Sequence, residues 1–452
     1  MRIIPIGGFD EVGRNMTAID LGDDVIIFDC GLYLPPIVEL EESEKVYTEK
    51  RLRAIGAVPD DLILDKLGLR NKVRAIIPSH AHLDHIGALP FLAYRYRAEI
   101  ISTPYTIQVL ISILEDEKMR LPNRLVSIHP NSSYYIKGKN NKYKVDFINI
   151  THSTLQTSLI ALHTPQGIVI YSNDFKLDNH PVLGQRPNYQ KIKEIAGEGV
   201  KLLICDSLYS GDERKTASEK VARTLLEEVL LNTHNQDNGL FVSTFSSHIA
   251  RLKSIVDFGK KLDRKIIFLG RSLNKYVISA AKINLCPFIK DVELVSYRKQ
   301  LEKKIRKINA RREKYMVVCT GHQGEPGSIL DRFSRNQLPL QFKKNDRVVF
   351  SSSVIPTTIN IENREKLDNR LKKRGVRIFN NIHVSGHAGR EDLRDFVSMI
   401  NPEHVIPAHG GPDKTMPMIE LCGELGYKSK NLHLVRNHKY VYINWATSQI
   451  DF

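Results

Sequence analysis

The densest chemistry in the sequence is Ser79-His80-Ala81-His82-Leu83-Asp84-His85, which puts four metal-competent side chains within six residues. It follows the apolar run Val73-Arg74-Ala75-Ile76-Ile77-Pro78, which reads as a buried strand. So much imidazole and carboxylate at the edge of a core needs partners, and a metal supplies them. With the strand held as given, the residues after Pro78 form a loop running into a helix. Alternate positions then aim at two neighbouring points, His80 and His82 at one ion, Asp84 and His85 at the other. Imidazoles and carboxylates without thiolates suit zinc or manganese with open coordination positions.

Further donors stand at the ends of other short apolar runs. Residues 147–150 lead into Thr151-His152-Ser153, 168–171 into Ser172-Asn173-Asp174, and 202–205 into Asp206-Ser207. A carboxylate can bridge two cations whereas a histidine binds one, so Asp174 is the natural bridge. Later in the chain, 376–379 and 382–384 read as strands before Ser385-Gly386-His387-Ala388-Gly389, and 405–407 precede Ala408-His409-Gly410-Gly411. Asp29, after the run 25–28, either caps a turn or holds the histidine loop in place.

The elements that must carry these groups have two textures. Up to about residue 209, short strands alternate with turns: 2–6, 16–20 and 25–28 read as a β meander, 86–95 as a helix, 99–102 as a strand and 106–114 as an amphipathic helix. Residues 34–65, with Glu39, Glu41, Glu42, Glu44 and Lys45, read as a solvated, helix-prone excursion. From about 210, helix and strand alternate. Thr216-Ala217-Ser218-Glu219 has the pattern of a capping box before a helix over 221–231; strands follow at 240–244, 265–269, 315–320 and 347–351, and helices at 249–262 and 273–283. Such alternation implies a parallel sheet with helices on its faces. Because strand-then-histidine patterns return afterwards, one domain is interrupted by another: 1–209 and 373–452 surround an insert over 210–372. In the insert, the turns Gly321-His322-Gln323-Gly324-Glu325-Pro326 and Ser351-Ser352-Ser353 are either tight turns or a phosphate cradle.

With 66 basic and 51 acidic residues the chain carries +15, which favours polyanionic partners. Beside a metal site, that charge points to a nucleic acid or a phosphate-rich substrate. Basic residues concentrate at 298–314 and 366–374, each reading either as an exposed helix face or as a track for a phosphodiester backbone. Cys30, Cys205, Cys286, Cys319 and Cys422 are far apart and form no Cys-x-x-Cys pair, which excludes a zinc knuckle and a disulfide framework. The opening Met1-Arg2-Ile3-Ile4-Pro5-Ile6-Gly7-Gly8 is too short and too quickly polar for a signal peptide, and no long apolar run occurs. A cytoplasmic protein without membrane attachment is the expectation.

Taken together, His80-x-His82-x-Asp84-His85, His152, Asp174 and His409, with Asp29 upstream, resemble the ordered motifs of the metallo-β-lactamase superfamily. Asp206, His387 and His409 fall where its β-CASP nucleic-acid-processing branch has motifs A, B and C. Within that branch the chain is similar to the RNase J family. The match includes Gly13-Arg14-Asn15-Met16, Asn173-Asp174-Phe175-Lys176, Gly270-Arg271-Ser272, Thr320 to Pro326, Phe350 to Pro356, and His383-Val384-Ser385-Gly386-His387-Ala388. It looks like the short archaeal form, although His322 stands where serine is more usual.

The resemblance implies an αββα metallo-β-lactamase sandwich interrupted by a parallel-sheet α/β (β-CASP) domain. It implies a two-zinc phosphodiesterase, with manganese as the alternative metal, that degrades single-stranded RNA from 5′-monophosphate ends in the 5′-to-3′ direction and releases nucleoside 5′-monophosphates. On this pattern His80, His82 and His152 hold one ion, Asp84, His85 and His409 the other, and Asp174 bridges them. His387, oriented by Asp206, protonates the leaving 3′ oxygen, and His383, Ser385, Gly386 and Ala388 hold the 5′ phosphate. A homodimer with RNA-decay protein partners is expected. The rival within the fold is a β-CASP RNA endonuclease; a small-molecule hydrolase is opposed by the insert and the basic runs.

Overall fold

A computed structural model describes all residues except 39, 41–46, 234–237, 296–297, 356 and 444–452. Glu39, Glu41, Glu42, Glu44 and Lys45 therefore lie outside the described residues. The chain divides into two compact units, one comprising Met1–Asn179, Gln185–Thr216 and Ser385–Phe452, the other His180–Gly184 and Ala217–Val384.

The first unit is built on two sheets whose strands are short and apolar on both faces. In the seven-stranded sheet, the antiparallel strands Arg2–Gly7, Met16–Asp20 and Val25–Phe28 continue in parallel into Val73–Ile77, Glu99–Ser102 and Leu125–Ser127, with Val441–Tyr442 closing the far edge. The six-stranded sheet runs His404–Ala408, Val200–Asp206, Gly167–Ser172, Ser158–Thr164, Lys142–Asn149, Ser132–Lys137. Its first three strands are parallel and the rest antiparallel. One core lies between the sheets, joining Ile26, Phe28, Ala75 and Ile77 to Phe147, Val169, Tyr171, Ile204 and Ile406. A second core lies outside the six-stranded sheet, where Ile192, Ile195, Leu393, Phe396, Val397, Met418 and Leu421 of three helices cover Ile148, Ile170 and Leu203. Burial on both faces explains why these strands read as near-continuous apolar runs. The architecture is the expected layered sandwich.

The second unit has six strands, all paired in parallel, in the order Val292–Val295, Lys265–Leu269, Tyr315–Cys319, Leu240–Ser243, Arg347–Phe350, Arg377–Phe379. Helices cover both faces, as right-handed crossovers between parallel strands require. On one face Leu301, Ile305, Phe333, Leu367 and Leu371 pack on Phe241, Val317 and Val348.

Several local expectations are corrected. Residues 86–95 form not one helix but the turns Leu83–Ile86, Leu89–Leu92 and Ala93–Arg95, because Pro90 lacks the N–H that a continuous helix needs. Residues 382–384 are not a strand, and Arg377–Phe379 pairs with Arg347–Phe350, so the second unit extends to Val384. The helix after Thr216 starts at Glu219 with Ser218 as its N-cap, while Thr216 Oγ1 donates to the His387 carbonyl instead. Glu219 is the first residue of the helix, and its buried carboxylate pairs with the Arg251 guanidinium. The stretch 34–65 is not wholly solvated. Asp61 is fully buried and accepts from Arg53, Arg95 and Tyr96. Burying a carboxylate with three donors is tolerated where burying a bare one is not.

Candidate active site

Most of the chemically competent residues of the first unit stand at or just past the end of a strand. Val73–Ile77 delivers the histidine loop, Val25–Phe28 delivers Asp29, Gly167–Ser172 delivers Asp174, Val200–Asp206 ends on Asp206, and His404–Ala408 delivers His409. Asp29, Asp174 and His409 share a left-handed backbone, with φ of 57°, 58° and 61°. Asp and His tolerate this region better than branched residues, and three such positions in one site are conformational strain maintained by the surrounding fold.

Three donor groups form around one carboxylate. His80, His82, His152 and Asp174 offer ligand atoms within 4.8 Å of one another, as do Asp84, His85, Asp174 and His409, and again Asp174, Asp206 and His387. Asp174 Oδ2 is 3.4 Å from His80 Nε2, 3.1 Å from His85 Nε2 and 4.0 Å from His387 Nε2. His82 Nδ1 lies 3.1 Å from His80 Nε2 and 3.2 Å from His152 Nε2. The His409 ring stacks between His85 at 5.6 Å and His387 at 5.5 Å.

The electrostatics fit a cation. Burial first, then neighbouring imidazoles, hold His82 and His152 well below the usual imidazole range, leaving neutral rings with lone pairs to donate. Against burial, the carboxylates of Asp174, Asp29 and Asp84 push His85 well up. Likewise against burial, His409, His85 and His387 hold Asp174 well below the carboxylate range. Asp174 Oδ1 is buried without a hydrogen-bond partner, an orphan of the kind a divalent ion satisfies.

Asp29 faces the histidine loop rather than the donor atoms. Its carboxylate accepts from Ser79 N at 2.7 Å and from Tyr171 Oη at 2.6 Å, and lies 2.7 Å from His85 Nδ1. That contact turns His85 Nε2 toward Asp174 and fixes the tautomer. Beside it, Cys30 N donates to the His85 carbonyl and Asn15 N to that of Asp84. Approach is so close at Gly31 that a Cβ would stand 1.6 Å from the Asp84 carbonyl oxygen. His387 Nδ1 is 2.8 Å from Asp206 Oδ2, and its side chain is 18 % exposed. Burial opposes its imidazolium, but the Asp206 and Asp174 carboxylates outweigh it and raise His387 to about 9.

Of the residues expected to hold a phosphate, Ser385, Gly386 and Ala388 belong to the first unit. Ser385 Oγ accepts from His387 N at 3.0 Å, and the Gly386 carbonyl is 2.7 Å from His152 Nδ1. A Cβ at Gly386 would lie 2.9 Å from the His152 ring, so glycine is needed there for that approach. The Ala388 side chain is buried in the helix-covered core, and His383 belongs to the second unit. Ser385 and Gly386 thus hold His387 and His152. Asn15, Ser79 and Tyr171 were not assigned roles from sequence. Ser79 was legible as the residue between strand and first histidine, and Tyr171 as a hydroxyl at the end of an apolar run.

A layered sandwich with a histidine and carboxylate cluster past its strand ends, interrupted by a parallel-sheet unit, defines a metallohydrolase of the metallo-β-lactamase superfamily. That superfamily's model matches residues 9–177, the β-CASP domain of ribonuclease J matches 237–369, and the RNA specificity domain of zinc-dependent metallo-hydrolases matches 373–432. Ribonuclease J of Methanocaldococcus jannaschii is 41 % identical over 97 % of both chains, and that of Pyrococcus abyssi 39 % identical over 98 % of this chain and 97 % of its own. Ribonuclease J 1 of Streptococcus pyogenes is 30 % identical over 96 % of this chain and 73 % of its own. The chain belongs to the ribonuclease J family. A crystal structure of a protein of unknown function from Enterococcus faecalis V583 shares the fold, with a TM-score of 0.65 at 16 % identity over 97 % of this chain and 99 % of that one. The superfamily implies a divalent metal, and the donor cluster fits one. Among the described residues no helix is long and apolar enough to cross a membrane.

Proposed function

We propose that this chain is a 5′-to-3′ exoribonuclease on single-stranded RNA, preferring 5′-monophosphate ends and releasing nucleoside 5′-monophosphates in the cytoplasm. As a ribonuclease J family member it is a metal-dependent ribonuclease. The observation that supports hydrolysis with two metal ions is Asp174 Oδ2, a single oxygen lying between two donor sets and facing His387. His80, His82 and His152 would hold one zinc, Asp84, His85 and His409 a second, and Asp174 would join them, with manganese as the alternative ion. Two divalent ions would supply Lewis-acid polarisation of the phosphoryl oxygens and acidify the attacking water.

The chain's own residues then divide the remaining work. Asp206 accepts the Nδ1 proton of His387, which leaves Nε2 as the proton donor toward the reacting centre. In-line attack by water forms a new P–O bond and breaks the bond from phosphorus to the 3′ oxygen. His387 Nε2 gives that oxygen its proton, so the first nucleotide leaves with its own 5′ phosphate and the shortened RNA keeps a 5′ monophosphate.

A time course on 5′-labelled, 5′-monophosphorylated RNA is expected to yield labelled mononucleotide from the first time point, and slower release from triphosphate and hydroxyl ends. Internal labelled fragments would replace this reading with the endonuclease. Asp29→Asn is expected to weaken metal affinity by about 10- to 100-fold in a chelator competition, through loss of the charge that orients His85. Affinity equal to wild type would remove Asp29 from the account.

A further inference from the structure

The insert carries an unpaired basic ridge that the proposed chemistry does not use. On the helix Arg298–Ala310, Leu301, Ile305 and Ile308 face the core, while Lys303, Arg306 and Lys307 are exposed. Lys303 and Lys307 stand one turn apart, about 6 Å along the helix axis, and Arg311, whose N–H donates to the Lys307 carbonyl, follows just past the helix end. The ridge continues past the helix. Arg312 donates to the Gln341 carbonyl at 3.1 Å, and Gln341 N donates to Asn309 Oδ1 at 3.4 Å, which brings the exposed Lys343 and Lys344 alongside.

What singles out this stretch is its excess of base over acid, with Lys303, Lys304, Arg306, Lys307, Arg311, Arg312 and Lys314 against Glu302 and Glu313. On the helices Glu219–Leu231 and Ile249–Lys261, which cover the sheet's other face, Arg223 and Lys253 share Asp257 at 2.7 and 2.8 Å, and Lys261 pairs with Glu227 at 3.1 Å. Among the described residues, Lys303, Arg306, Lys307, Arg311, Lys343 and Lys344 make no ion pair, whereas Lys304 reaches the carboxylate of Glu293. A solvated helix of ordinary composition alternates its charges. Six unpaired cations on this helix, just past its end and on the adjoining segment are instead the electrostatic footprint of a polyanion.

We infer that this ridge binds the backbone of single-stranded RNA, as a contact for the substrate additional to the nucleotides at the reacting centre. The inference rests on the proposed action on RNA. Regularly spaced cations on a rigid helix, without an aromatic platform among them, read phosphates rather than bases, so the contact is independent of sequence.

The test is the full chain carrying Lys303→Gln, Lys307→Gln and Arg311→Gln. With metals chelated, fluorescence anisotropy follows binding of a 5′-monophosphorylated oligouridylate of about 30 nucleotides, longer than the roughly 16 nucleotides that one site covers. The expected result is binding weakened about tenfold at low salt and a salt slope shallower by about 2, at about 0.7 per lost phosphate contact. Turnover of a 5′-phosphorylated dinucleotide should be unchanged, which also reports an intact fold. Wild-type affinity and slope would overturn the ridge, and so would loss of binding to anionic vesicles with RNA binding intact. A wild-type enzyme releasing no mononucleotides would sink the exonuclease reading alone, since the anisotropy arm needs no turnover.

Discussion

Asp174→Asn is expected to reduce RNA hydrolysis by at least about 1,000-fold, roughly 4 kcal/mol of transition-state stabilisation. The expectation follows from geometry. Asp174 is common to both donor sets, whereas the site's remaining acids each serve one place: Asp84 the second donor set, Asp29 His85, and Asp206 His387. No neighbouring carboxylate joins both sets. Asparagine preserves size but offers one weaker oxygen and no charge, so the buried imidazoles around it face one another uncompensated. Hydrolysis rates on 5′-monophosphorylated RNA measure the effect, and metal analysis on the same preparation should show at least one ion lost. A variant retaining activity within tenfold of wild type would show that the shared oxygen is not where the two donor sets meet functionally.

His387→Ala is expected to behave differently, with a rate loss of about 100- to 10,000-fold and full retention of metal. His387 lies outside the two principal donor sets, is bonded to Asp206, and its Nε2 stands 4.0 Å from Asp174 Oδ2, farther than His80 or His85. On the proposed reading that group moves a proton rather than holding an ion. Asp206→Asn should reproduce part of the loss through a misoriented ring, while an RNA with a better leaving group at the 3′ oxygen should recover much of the His387→Ala defect. Loss of metal in His387→Ala would make the residue a ligand, and no recovery with the better leaving group would remove it as the acid.

The histidine loop and its strand were legible because chemistry and periodicity coincide there: an apolar run that can only be a strand ends in donors that can only be costly as packing. Asp174 as the shared group was legible from valence alone. The convergence of His409 with His85 was not legible from spacing, since it depends on two parallel strands, Val200–Asp206 and His404–Ala408, that pair across some two hundred residues of intervening chain. Nor were the roles of Ser385 and Gly386. A short motif of small residues suggests an anion site; the Ser385 hydroxyl and the Gly386 carbonyl additionally hold His387 and His152. Asp61 was hidden for a similar reason. A lone acid in a charged stretch reads as solvated until the arginines and tyrosine that cover it are known.

The central claim is that residues from the two ends of the chain cage a pair of cations around Asp174. Its most direct test is the metal content per chain, measured by inductively coupled plasma mass spectrometry on wild type and on His85→Ala and His409→Ala. Two divalent ions per wild-type chain, falling to one or none in both variants, is the predicted result; a single ion per chain that survives both substitutions would contradict it.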